Sequence, residues 1–109
     1  MEPLRLARVV LEDTQARQQQ VTIDLVFEGD RIRAGNEYYG VWRDKDSQNI
    51  CPFVMNENGE IDFGTTYNGE DRFYVFDILG AQIGLGQQVA WHGDQYETTM
   101  KVVGFTQLI

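Results

Sequence analysis

Turn signals at close intervals, with side chains alternating in polarity between them, constrain this chain more than any other feature, and Asn56–Ile78 shows the pattern best. Asn56-Glu57-Asn58-Gly59 reads as a turn, Glu60–Tyr67 as a strand, Asn68-Gly69 as a second turn and Asp71–Ile78 as the return strand. Asn68-Gly69 supplies the two positive-φ residues of a tight hairpin turn, whose hand matches the strand twist. On the first strand Ile61, Phe63, Thr65 and Tyr67 share one face, and Glu60, Asp62, Gly64 and Thr66 the other. The return strand is apolar on both faces. That places it inside the sheet, covered on two sides, or on a barrel wall whose outside meets a partner.

The same grammar runs through the rest of the chain. Val21, Ile23, Leu25 and Phe27 alternate with Thr22, Asp24 and Val26, which is a half-buried strand ended by Glu28-Gly29-Asp30. Arg31-Ile32-Arg33 is a short return piece. Glu37–Arg43 carries Tyr38, Tyr39, Val41 and Trp42 around Gly40, and a glycine inside a strand marks a bulge or a close approach to the backbone. Ile50–Met55 is a strand that Pro52 restricts to an edge, a strand start or a bulge. After a glycine-punctuated connection over 79–86, Gln87–Trp91 and Gln95–Val103 return as strands, with Val89 and Trp91 on one face and Tyr96, Thr98, Met100 and Val102 together on the next. Gly104 is expected to break that run, and Phe105, Leu108 and Ile109 to tuck against the body. Leu4–Leu11 reads better as a strand than as a helix, although Leu4, Ala7 and Leu11 would share a helical face.

About seven to nine short strands on short connections make an all-β, single-domain antiparallel meander, closed into a barrel or folded as a sandwich. The alternative is an α+β fold with an N-terminal helix. A chain of 109 residues makes one domain and buries a core without staples. No signal peptide or membrane-length apolar run is present, so the expected location is the cytoplasm.

The formal net charge of −8 opposes binding to nucleic acid or anionic membrane, since phosphates would be repelled and no counterions released. The imbalance is uneven. Residues 55–109 hold eight acids against Arg72 and Lys101, so the anionic surface belongs mainly to the second half.

Few residues suggest chemistry. The one cysteine, Cys51, rules out an internal disulfide. With His92 and Asp94 it could nominally form a nucleophile–base set, but its Ile50–Val54 setting is that of a small buried apolar residue. Asp44–Asn49 begins like a calcium loop, yet lacks the glycine at the sixth position and has Met55 where a closing Glu belongs. Gly80–Gly86 has no βαβ context for a dinucleotide, and no spacing singles out a pair of carboxylates for glycoside chemistry. No catalytic residue, metal or cofactor is therefore assigned.

The binding candidates are Tyr38, Trp42, Trp91 and Tyr96, which bring a polar tip to a pocket or interface, together with Glu60 and Asp62 on one face of the acidic hairpin. They favour a non-catalytic protein that docks a protein partner through that hairpin face and the Tyr/Trp cluster. The alternatives are a barrel holding a small apolar ligand and, behind it, a small enzyme on the same scaffold. The Phe73–Ile78 strand, apolar on both sides, adds a homodimer to the partners expected. Light scattering at high concentration decides that point: a dimer mass supports it and a monomer mass removes it.

Overall fold

Alternation resolves into one sheet. The computed structural model describes residues 3–64, 74–93 and 97–109, and among these there are nine strands and no helix. They are β1 (Leu4–Asp13), β2 (Gln19–Glu28), β3 (Arg31–Ile32), β4 (Tyr38–Asp44), β5 (Asn49–Met55), β6 (Ile61–Asp62), β7 (Val75–Phe76), β8 (Gln88–His92) and β9 (Glu97–Gln107). The order β6-β5-β4-β2-β1-β9-β8-β7 is antiparallel throughout, with β3 paired to the end of β2. The sheet is nearly closed into a barrel. At the seam Glu60 bridges Val75, the Ile61 amide donates to the Tyr74 carbonyl (2.9 Å), and the Phe76 amide donates to the Gly59 carbonyl (2.9 Å). A single sheet removes the sandwich, and β1 removes the N-terminal helix.

The pleat sends one residue in two to the inside. Ala7, Val9 and Leu11 from β1 meet Val21, Ile23, Leu25 and Phe27 from β2, and Tyr38, Phe53, Met55, Phe76, Trp91, Met100 and Val102 are among those that join them in the core. Outside, β1 and β2 oppose Arg8 to Asp24 and Val10 to Thr22. At one end Arg5 stacks on the Phe27 ring at 5.6 Å and donates to the Gly29 carbonyl. At the other, Asp13 Oδ1 accepts from the amides of Gln15 and Ala16 and from the Thr98 hydroxyl (2.8 Å), tying the β1–β2 turn to β9.

The Asn56–Ile78 hairpin is described only at its base. The expected turn at Asn68-Gly69, and strand residues 65–73, lie outside the described residues, as does Tyr96. Asn56–Gly59 does turn as expected: the Gly59 amide donates to the Asn56 carbonyl, and φ of +89° there suits glycine alone. Among the described residues β6 and β7 each hold two residues, and Ile78 lies in a turn rather than in the return strand.

Two further expectations need correction. Gly104 does not end β9, which runs to Gln107; instead the register slips at Val10/Leu11, opposite Val103, as a β-bulge. The slip restores the inward phase for Phe105, which packs on Phe27 at 5.6 Å. Leu108 and Ile109 are exposed rather than tucked in, although their backbones still bond to Leu6.

Gly40 explains how the core is filled. It lies opposite Ile23 and Phe53, both inward, and a Cβ at this position would collide with the Phe53 ring and come within 2.8 Å of the Thr22 carbonyl. The missing side chain lets Phe53 fold over β4 and reach Phe63 (5.6 Å) and Trp91 (6.3 Å). Gly40→Ala should therefore destabilise the fold by about 1–3 kcal/mol through overpacking. Urea denaturation checks this, and Phe53→Leu in the Gly40→Ala background should recover part of the loss, because the two positions share one space.

Candidate functional site

The outer wall of β4 and β5 carries the most distinctive surface among the described residues. Tyr39, Val41 and Arg43 of β4 point outward because Tyr38, Gly40 and Trp42 point inward. Across the β4–β5 register they meet Val54, Pro52 and Ile50 respectively. Tyr39 is 68% exposed and Ile50 64%. Between them runs a groove of about 660 Å³, lined by Tyr39, Gly40, Val41, Ile50, Pro52 and Phe53 and continuing to Arg8, Thr22, Asp24 and Arg43.

Charges border this groove in a fixed order. Asp62 is exposed beside Val54, which is beside Tyr39, so an acid stands at the tyrosine end. Half-buried Glu60 follows at the seam. Along one flank Arg8 holds Asp24 through two bonds, Nε–Oδ1 at 2.8 Å and Nη2–Oδ2 at 3.0 Å. The hydrogen bond and charge of that carboxylate stabilise the charged Arg8 guanidinium, holding its pKa above the already high ordinary value. At the other end, Arg43 Nε and Nη2 both donate to Gln20 Oε1 (3.2 and 2.9 Å), and Gln20 Nε2 donates to Glu12 (2.9 Å). Lys45 Nζ stands 3.7 Å from the same Glu12 carboxylate.

The residues singled out from the sequence separate. Asp62 stands beside Val54, one strand over from Tyr39, and Glu60 lies at the seam against Val75; neither lines the groove itself. Trp42 is half-buried against the core, opposite Val21 and Cys51. Trp91 is buried among Phe53, Phe63, Tyr74 and Phe76, with the Phe76 ring 5.1 Å away. Tyr38 is buried too, and its hydroxyl donates to the Arg33 carbonyl at 2.6 Å with the Val26 carbonyl at 3.4 Å. Val26 O also accepts the Arg33 amide, so Tyr38 pins β3 and the end of β2 to β4. Of the groove residues, Val41, Arg43, Ile50 and Pro52 were not singled out, and Tyr39 stood out only as one of the strand aromatics. A signal for them existed: Arg43 shares its strand face with Tyr39, and an arginine in the middle of a sheet points to water.

The chemical alternatives resolve into local structure. Cys51 is a buried, free thiol. His92 faces Glu97 across β8–β9 at 3.5 Å, and Asp94 lies outside the described residues. Asp44 Oδ1 accepts the amides of Asp46 and Ser47, so the oxygens of that loop serve its own turn. Among the described residues no three His, Cys, Asp or Glu side chains converge as a metal site would require. Comparison with protein-family models, curated proteins and solved structures finds no match for this chain.

Tyr38 carries a pH signature. Burial raises its phenol above the ordinary value of 10.0, against the smaller opposing effects of Asn36, Arg33 and the Val26 carbonyl. As pH climbs past that value the unfolded phenol ionises first while the folded one keeps its proton, so stability falls with rising pH. Tyr38→Phe should cost about 1 kcal/mol at neutral pH through the lost hydrogen bond. It should also make the alkaline loss shallower than in the parent, as read from urea midpoints measured from neutral pH upward.

Proposed function

We propose that the chain is a non-catalytic binding module that docks a protein partner on the outer wall of β4, β5 and β6. Tyr39, Val41, Ile50 and Pro52 form the apolar centre, and Glu60 and Asp62 form an anionic border. The observation that carries this reading is the pair of exposed anchors, Tyr39 and Ile50, flanking a groove on a regular sheet face. Tyrosine is a favoured interface anchor because it contributes a large rigid surface for the loss of two torsions. The pairing of Tyr39 with Val54 of β5 holds its backbone in place before a partner arrives. The anionic border supplies steering for a partner with basic groups at that end.

The other exposed apolar residues support the reading less well. Leu4, Leu85, Val103, Leu108 and Ile109 are exposed, but none of them lines this groove. A small apolar ligand inside the barrel would compete with Phe27, Leu25, Met55, Phe76 and Trp91, which occupy the described interior. A second copy as occupant would bring together two chains of net charge −8, which opposes a homodimer. The same charge argues against nucleic acid and anionic membrane. Among the described residues no helix is long and apolar enough to cross a bilayer. The buried free thiol suits a reducing compartment, and the cytoplasm is the location that fits it.

A photoreactive benzoylphenylalanine at position 39, with one at exposed Gln107 as control, tests the surface in cells. Cross-linking to a discrete protein at 39 and not at 107 is expected. Tyr39→Ser should then weaken the complex by about 2 kcal/mol. Glu60→Lys with Asp62→Lys should weaken it further at low salt, with the difference shrinking as salt is added. Equal labelling at both positions, with the fold intact, overturns the reading.

A further inference from the structure

We propose that the Arg43 end of the groove is a carboxylate-binding site, and that the partner segment seated there carries an acidic side chain followed, two residues on, by an apolar one. This rests on the groove being the docking surface, and it names the chemistry of what docks.

The argument begins with how Arg43 is held. Gln20 is 7% exposed and its amide has a single workable orientation, with NH₂ toward Glu12 and oxygen toward Arg43. Both Arg43 bonds to that oxygen fix the plane of the guanidinium. Two of its five N–H groups are used, and three remain on an exposed side chain. The ordering cost that a free arginine would meet on binding is thus already reduced.

Charge gives the second part. Arg8 has its fork filled by Asp24 and stands as a neutral pair. The hydrogen-bonded partner of Arg43 is a neutral amide, so its positive charge is not cancelled at the point of contact, and the Glu12 carboxylate behind Gln20 is itself met by Lys45. The chain is acidic overall, but charges beyond about 8 Å are screened at physiological salt, so the nearest cation decides what is attracted. A carboxylate fits the planar fork better than any other common side chain.

Register gives the third. Ile50 lies directly across from Arg43, and the Val41–Pro52 pair is the next outward row. An extended segment running along β4 with its carboxylate on Arg43 brings its residue two positions on, roughly 7 Å away, over Val41 and Pro52. The residue after that, on the same side, reaches Tyr39.

The test titrates the full ¹⁵N-labelled chain with two capped peptides, acetyl-Glu-Thr-Leu-Thr-Leu-amide and its Gln-for-Glu analogue, following backbone amide shifts. The Glu peptide should move Tyr39, Val41, Arg43 and Ile50, and the Gln analogue should bind about three- to tenfold more weakly at the same residues. Arg43→Gln should bring the Glu peptide down to the level of its analogue and leave the analogue unchanged. Equal binding of the two peptides, shifts located elsewhere, or no shifts with either peptide overturns the carboxylate site. The docking reading is decided separately by cross-linking at position 39, so the two can fail independently.

Discussion

The structure depends on one packing event: the Phe53 ring lying over the bare backbone of Gly40. Among the described residues pairing at the barrel seam is short, because β6 and β7 contribute two residues each and meet through the bridge between Glu60 and Val75. A ladder this short closes little by hydrogen bonding. Side chains supply the rest. Phe53 reaches from β5 to Trp91 on β8, and Phe63, Tyr74 and Phe76 pack around the same indole with ring centroids 5.1–6.4 Å away. Tilted and edge-on pairs of this kind contribute about 0.5–1.5 kcal/mol each beyond their burial, enough to hold two strands that backbone pairing holds weakly. A larger residue at position 40 would displace Phe53 and loosen this cluster.

That inward demand explains the outward surface. Once Gly40 must face Phe53, the pleat places Tyr38 and Trp42 inside with it and Tyr39, Val41 and Arg43 outside. Neighbouring β5 is phased the same way, with Cys51, Phe53 and Met55 inside and Ile50, Pro52 and Val54 outside. The groove is therefore the reverse side of the core. It also lies where Pro52 is tolerable: β6 pairs with β5 only at Val54 and Met55, so the missing N–H of Pro52 interrupts no ladder among the described residues.

Much of the fold was legible because alternation of period two needs no tertiary information. Val21–Phe27 states its inner face outright, since one face is wholly apolar and the other carries Asp24. The β4 segment states it less openly, because Tyr38 and Tyr39 are equivalent by composition. Singling out Tyr38 and Trp42 followed the usual preference for aromatics at binding sites, but both sit on the face that Phe53 requires. Arg43 was the available discriminator. The bulge at Val103 could not be read, since an inserted residue shifts phase without leaving a local composition signal, and Gly104 beside it looked like a stop. The ladder from Glu12 through Gln20 to Arg43 was equally hidden. Its members are eight and 23 residues apart and become neighbours only when β1, β2 and β4 are laid in register.

The same ladder reconciles an acidic protein with a cationic spot on the outer β4–β5 wall. Net charge acts at long range and sets which partners approach; contact chemistry acts within a few ångströms and sets which groups seat. Along the β4–β5 wall the two are separated in space, with Asp62 in the Tyr39–Val54 row and Arg43 four residues from Tyr39, roughly 13 Å along the strand. An apolar strip with opposite charges at its ends has a direction, so a segment complementary to it can lie only one way round. Because β4 is paired on both sides, to β2 and to β5, that polarity is built on one of the better-supported strands of the sheet and not on a loop. The constraint that closes the barrel thereby also sets the polarity of the wall outside it.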